Sequence, residues 1–141
     1  MTLPIKMLRL GDAKLPDVHY AHDAGLDLYS LEEVTIAPSE RVLVGTGIAM
    51  AIPQGYAGLV WDKSGHANKR GLKTLGGVVD AGYRGEIKVG LINLSQESVI
   101  LPKHEPVAQM LIQKVEQVSV VEVDSLDDTE RGSRGFDSRA N

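Results

Sequence analysis

Apolar residues recur along this chain in short runs broken by glycine and proline. Residues 3–10 mix apolar and basic side chains, and residues 41–44, 49–52 and 57–61 are brief apolar stretches. In residues 86–93, Ile87, Val89 and Leu91 alternate with Lys88, Gly90 and Ile92, an approximate period of two that predicts a half-buried strand. Residues 98–101 and 107–123 continue the strand pattern, the latter β-branched and long enough to bend or divide. Asp27 lies in a further apolar stretch, Ala-Gly-Leu-Asp-Leu-Tyr-Ser at 24–30. The one helix signal is about a single turn at 66–70, opened by Ser64-Gly65. Six prolines and 15 glycines at near-regular spacing suit many short strands joined by tight turns. The pattern predicts an all-β barrel or sandwich over residues 1–123. Residues 124–141 differ in kind: acidic first, then rich in Gly, Ser and Arg, and expected to be mobile on their own.

Composition narrows the possibilities. A chain of 141 residues fits one core, and 43% hydrophobic residues is ordinary for a globular domain. Only 4% are aromatic, so the core must be aliphatic. A net charge of -4 disfavours nucleic acid or a membrane surface as partner, since both call for a basic face. The absence of cysteine excludes disulfides, thiol nucleophiles and thiolate metal sites. No apolar stretch approaches the roughly 18 residues of a membrane span, and the first ten residues lack a signal-peptide core, so a cytoplasmic location is expected.

Chemistry concentrates at 76–86, Gly-Gly-Val-Val-Asp-Ala-Gly-Tyr-Arg-Gly-Glu, where an apolar run carries Asp80 into a Gly-flanked turn followed by Tyr83. The expectation is a β-hairpin whose glycines leave backbone groups open to a ligand; an ordinary surface hairpin is the alternative. Ser64-Gly65, with Lys63 before and Lys69-Arg70 after, suits either anion capture at a helix start or a capping serine among solvated lysines. Asp27 needs a partner or a solvated face. Gln109, inside the apolar run 107–112, needs hydrogen-bond partners. His19, His22 and Asp23 have metal-like spacing but no further ligand set nearby, and His66 lies near the anion loop. Phe136, the only phenylalanine, sits in the polar tail: either an accident or part of a segment that closes over something flat.

Taken in order, these segments resemble the five motifs of the trimeric dUTP diphosphatases. The first is similar to 24–30, the second to Asp-Lys-Ser-Gly-His-Ala-Asn-Lys at 62–69, and the third to Gly-Val-Val-Asp-Ala-Gly-Tyr-Arg-Gly-Glu at 77–86. The fourth resembles Val-Ala-Gln-Met-Leu at 107–111 and the fifth Thr-Glu-Arg-Gly-Ser-Arg-Gly-Phe-Asp-Ser at 129–138. The resemblance implies a distorted jelly-roll-like β-barrel or sandwich and a homotrimer with shared active sites. It implies Mg²⁺-dependent hydrolysis of dUTP to dUMP and pyrophosphate, which limits dUTP and supplies dUMP for thymidylate synthesis. By position, Asp80 would activate the attacking water and Tyr83 would pack on the deoxyribose. Gly77, Val78 and Val79 would read uracil through the backbone. Lys63, Ser64 and Gly65 would contact phosphates, Gln109 would help position phosphate and water, and Asp27 would anchor the metal indirectly through water. Lys88 joins the substrate contacts, as do tail residues Arg131, Phe136, Asp137 and Ser138, with Phe136 stacking on the base.

Several positions depart from the family pattern. Lys63 stands where arginine is usual, which keeps the charge but loses the bidentate fork. His66 replaces a leucine, Gly82 an acid and Pro106 a basic residue. Arg134, Asp137 and Arg139 alter the tail, and Asp137 would repel a terminal phosphate. A related dCTP deaminase is the first rival, but the position of its catalytic glutamate, ten residues after the aspartate, is Gly90 here. A non-enzymatic nucleotide-sensing trimer is the second.

Overall fold

The computed structural model describes residues 3–135. Ten strands and one helix follow in the order β1 (Lys6–Arg9), β2 (Leu26–Tyr29), β3 (Val34–Ile36), β4 (Arg41–Ala51), β5 (Tyr56–Trp61) and α1 (Ser64–Arg70). Then come β6 (Leu72–Leu75), β7 (Val78–Val79), β8 (Glu86–Asn93), β9 (Val99–Leu101) and β10 (Pro106–Lys114). They form two four-stranded sheets, ordered β1-β4-β8-β6 and β2-β10-β5-β7, and a two-stranded β3-β9 ribbon. Every pairing is antiparallel. The fold is therefore all-β and jelly-roll-like, and no closed barrel forms among the described residues.

The core is aliphatic. Leu28, Ile36, Val44, Ile48, Ile87, Val89, Leu91, Leu101, Val107 and Met110 are buried from both large sheets and the ribbon. Each such side chain contributes about 1.5–3 kcal/mol on burial. In β8 the alternation predicted from sequence holds: Ile87, Val89 and Leu91 are buried, whereas Lys88 is exposed.

Three sequence expectations change. The run 41–44 and all but the last residue of 49–52 belong to one eleven-residue strand, β4, whose register with β8 shifts between Gly45 and Ala49. Two hydrogen bonds hold this irregularity: Thr46 Oγ1 donates to the Ile87 carbonyl (2.7 Å), and Gly47 N–H donates to Glu86 Oε1 (2.9 Å). The glycines thus make a bulge where a break was expected. The run 107–123 gives a strand only to Lys114; residues 115–135 contain no strand or helix, and Val118, Val120, Val121 and Val123 are exposed. β-Branched composition without a neighbouring strand to pair with does not make a ladder. Finally, β8 pairs with β6, while the apolar run before Asp80 is β7 and pairs with β5. The expected hairpin is wider than the turn, and its tip crosses to the other sheet.

Candidate functional site

β7 places Asp80 at the mouth of an open cleft of about 310 Å³, lined by Leu43, Val78, Val79, Asp80, Tyr83, Glu86, Ile87 and Lys88. Gly77 enables the approach. Its φ of +122° is a glycine conformation, and a Cβ would lie 2.8 Å from the Val60 carbonyl oxygen. Its own carbonyl accepts Val60 N–H (2.7 Å), which ties the run to β5.

The turn beyond Asp80 is closed by its own residues. Tyr83 N–H donates to the Asp80 carbonyl (3.1 Å), and the Tyr83 hydroxyl donates to the Glu86 carbonyl (3.0 Å). Arg84 Nη1 donates to the carbonyls of Ala81 (2.6 Å) and Tyr83 (2.8 Å). The tyrosine ring is thereby held at the cleft while Asp80 stays exposed. Lys88 Nζ, 3.8 Å from Glu86 Oε2, adds a cation to the same wall.

A second group gathers around the start of α1. Lys63 precedes the helix and Ser64 opens it; no side chain caps it, so the capping-serine alternative does not hold. Lys69 and Arg70 occupy the last turn, where cations suit the helix dipole, and Gly71 ends the helix at φ 68°. Lys63 Nζ pairs with Asp27 Oδ1 at 2.6 Å, supplying the partner that the buried Asp27 required. Tyr29, two residues on, donates its hydroxyl to Asp17; burial first, and then Asp17, push that phenol's pKa well above its ordinary value.

Gln109 lies opposite Asp27 on one side and Trp61 on the other, because β10 runs between β2 and β5. Its Nε2 donates to the Asp62 carbonyl (2.9 Å). Its Oε1 packs so closely on Gly25 that a Cβ there would approach to 2.5 Å. Asp27, Lys63 and Gln109 are thus brought together by β2, the loop after β5, and β10.

Other candidates fall elsewhere. Lys63, Ser64, Gly65 and Gln109 do not line the Asp80 cleft. Arg131 is exposed in the tail, its side chain donating to the Arg134 carbonyl (2.9 Å). Phe136, Asp137 and Ser138 lie outside the described residues. His66 turns away from the loop, its Nε2 donating to the Pro106 carbonyl (2.8 Å). Among the described residues, no group of three or more His, Asp or Glu side chains could hold a metal ion, and no helix is long and apolar enough to cross a membrane.

Sequence reasoning missed Leu43, Glu86 and Ile87 as cleft residues. Leu43 is 66% exposed although it sits in an apolar run. Residues 42–44 are all apolar, so no alternation marks which face each occupies. For Glu86, the last residue of the third motif, its place in that motif was the available signal.

Similarity to known proteins extends over nearly the whole chain. A family model described as dUTPase matches residues 11–139. The deoxyuridine 5'-triphosphate nucleotidohydrolase of Nocardia farcinica is 51% identical over 140 residues, covering 96% of this chain and 84% of that one. The protein of the same name from Corynebacterium glutamicum is 49% identical over 139 residues, covering 95% and 93%. Among solved structures, the Staphylococcus bacteriophage 80alpha dUTPase with dUPNHPP superposes with a TM-score of 0.91 at 27% identity, covering 99% of this chain and 100% of the other.

Proposed function

The chain belongs to the dUTPase family, and from that premise we propose that it is a dUTP diphosphatase, hydrolysing dUTP to dUMP and pyrophosphate. The observation that carries this reading is the cleft that brings Asp80, Tyr83 and Lys88 together with Val78 and Val79.

In this mechanism Asp80 takes a proton from the attacking water. The water oxygen bonds to the α-phosphorus as the bond from that phosphorus to the oxygen shared with the β-phosphorus breaks, and pyrophosphate leaves with that oxygen. Phosphoanhydride hydrolysis depends on alignment and charge neutralisation more than on covalent catalysis, so one carboxylate with cationic support is sufficient. The backbone of Gly77, Val78 and Val79 reads uracil, whose lack of a methyl or amino group lets a close-fitting tip reject thymine and cytosine. The Tyr83 ring, held by Glu86, packs under the deoxyribose and leaves no room for a 2′-hydroxyl.

Lys63, Ser64, Gly65 and Gln109 contact the phosphates, Lys88 supports the substrate from the cleft wall, and Arg131, Phe136, Asp137 and Ser138 close over it from the tail. Mg²⁺ enters as part of the substrate. It prefers phosphate oxygens and waters with one or two carboxylates, and the described residues offer no dedicated cage. Asp27, one oxygen of which is engaged by Lys63, is suited to anchoring that ion through water. Bound to the triphosphate, Mg²⁺ neutralises charge.

Two features support the reading of a homotrimer with shared sites. The phosphate group of residues does not line the cleft that holds Asp80. The valine-rich residues 115–123 form no strand, and Val118, Val120, Val121 and Val123 are exposed, an apolar surface open to a second copy of the chain.

Pyrophosphate release from dUTP, with dCTP as the comparison, tests the reading. Release from dUTP alone is expected. Ammonia release from dCTP would favour the deaminase, against which Gly90 speaks. Nucleotide binding without any turnover would favour the sensor.

A further inference from the structure

Resting on the dUTP-hydrolase reading, we propose that Asp62 is a positioning residue. It clasps the base of the loop that carries Lys63, Ser64 and Gly65 and fixes that loop against Gln109.

Asp62 follows β5 and precedes α1. Its Oδ1 accepts the backbone N–H of Thr74 at 2.7 Å, and its Oδ2 pairs with Lys73 Nζ at 2.8 Å. Thr74 lies in β6, the strand that follows α1, so the bond closes the segment bearing the helix at its two ends. Among the described residues β6 is the edge of its sheet and pairs only with β8, which leaves outward N–H groups in need of acceptors. Asp62 fills one such need and joins that edge to the opposite sheet. Its own carbonyl accepts Gln109 Nε2 at 2.9 Å. One residue therefore contacts β6 and β10 while its neighbour, Lys63, contacts Asp27 of β2.

The carboxylate is built to stay ionised. Burial presses its pKa upward, but the Lys73 ammonium, the Thr74 backbone N–H and the Thr74 hydroxyl more than offset this and hold it below the ordinary carboxylate value. A charged acceptor makes a stronger bond than a neutral one, so the clasp resists the pull of a bound polyanion on the loop.

The two halves of the substrate report on the clasp separately. A non-hydrolysable dUTP imido analogue uses the phosphate loop, whereas dUMP lacks the β- and γ-phosphates. Asp62→Ala should weaken analogue binding about tenfold, the scale of a lost hydrogen bond to a charged group, and leave dUMP binding unchanged. Asp62→Asn keeps an acceptor for Thr74 N–H and should restore most of that loss, to within about threefold of the parent. Global destabilisation would instead lower the melting temperature and change both ligands together or neither.

Analogue binding by Asp62→Ala within twofold of the parent overturns the clasp, as does an equal loss for both ligands. If Asp62→Ala does not fold, Asp62→Asn decides: analogue binding about two- to threefold weaker than the parent's, with unchanged dUMP binding, supports the clasp, and any other pattern overturns it. The parent is assayed alongside for pyrophosphate release from dUTP. An inactive parent overturns the functional reading and the clasp with it, whereas an active parent with an unaltered Asp62→Ala overturns the clasp alone.

Discussion

Lys63 Nζ stands 2.6 Å from Asp27 Oδ1, so the cation nearest the proposed phosphate loop is already paired with the one acid buried in β2. The lysine is 29% exposed and the aspartate 9%, so the pair has a dry end and a wet end. A lysine makes one strong contact where arginine would make two, and here that contact goes to Asp27. Asp27 thus has one carboxylate oxygen already engaged, and in the proposed mechanism Lys63 would meet phosphate with a partly neutralised charge.

Lys63→Met should therefore destabilise the fold by about 1.5–3 kcal/mol, because it leaves the Asp27 carboxylate buried without its cation. Adding Asp27→Asn should recover much of the loss. A double-mutant cycle from denaturant melts checks this, and a coupling energy near zero would refute the pair's structural role.

Asp80→Asn should leave folding and dUTP binding nearly intact while reducing turnover about 10²–10⁴-fold, since the amide keeps the shape but cannot accept the water's proton. Asp80 is exposed at the cleft mouth, and no large stability change is expected from the substitution. Single-turnover rates alongside binding of the imido analogue separate the two effects. Near-parental turnover would remove Asp80 from the role.

Tyr83→Ala should reduce discrimination between dUTP and UTP more than it weakens dUTP binding. Tyr83→Phe retains the ring but loses the bond to the Glu86 carbonyl. It should keep most discrimination, because the ring itself forms the wall. The ratio of kcat/KM for the two nucleotides decides, and an unchanged ratio in Tyr83→Ala would place sugar selection elsewhere.

Deleting residues 131–141 should leave thermal stability nearly unchanged, since the described part of that segment is almost wholly exposed and bears no strand or helix. Hydrolysis should fall sharply through loss of closure over the site. Phe136→Ala should reproduce part of the loss, as base–aromatic stacking is worth about 1–3 kcal/mol. Asp137→Gly should raise activity by relieving like-charge repulsion at the terminal phosphate. Full activity in the truncated protein would refute the lid.

The class of fold and the carboxylate at the centre of the candidate site were legible in the chain alone. Alternation in β8 assigned Ile87, Val89 and Leu91 to the core and Lys88 to the open side, because side chains on a strand switch faces at every residue. The order of five short motifs pointed to the family, and a carboxylate in a Gly-flanked turn marked Asp80. Only the tertiary structure decided which elements meet. It paired β8 with β6 and not with the run before Asp80, gave Lys63 to Asp27, hung Gln109 on Asp62, and brought Leu43 of β4 to the cleft. Periodicity constrains the face a side chain occupies but not the strand beside it. Partner choice is settled by long-range packing of the two sheets and by the bulge at Gly45–Ala49, which resets β4 against β8.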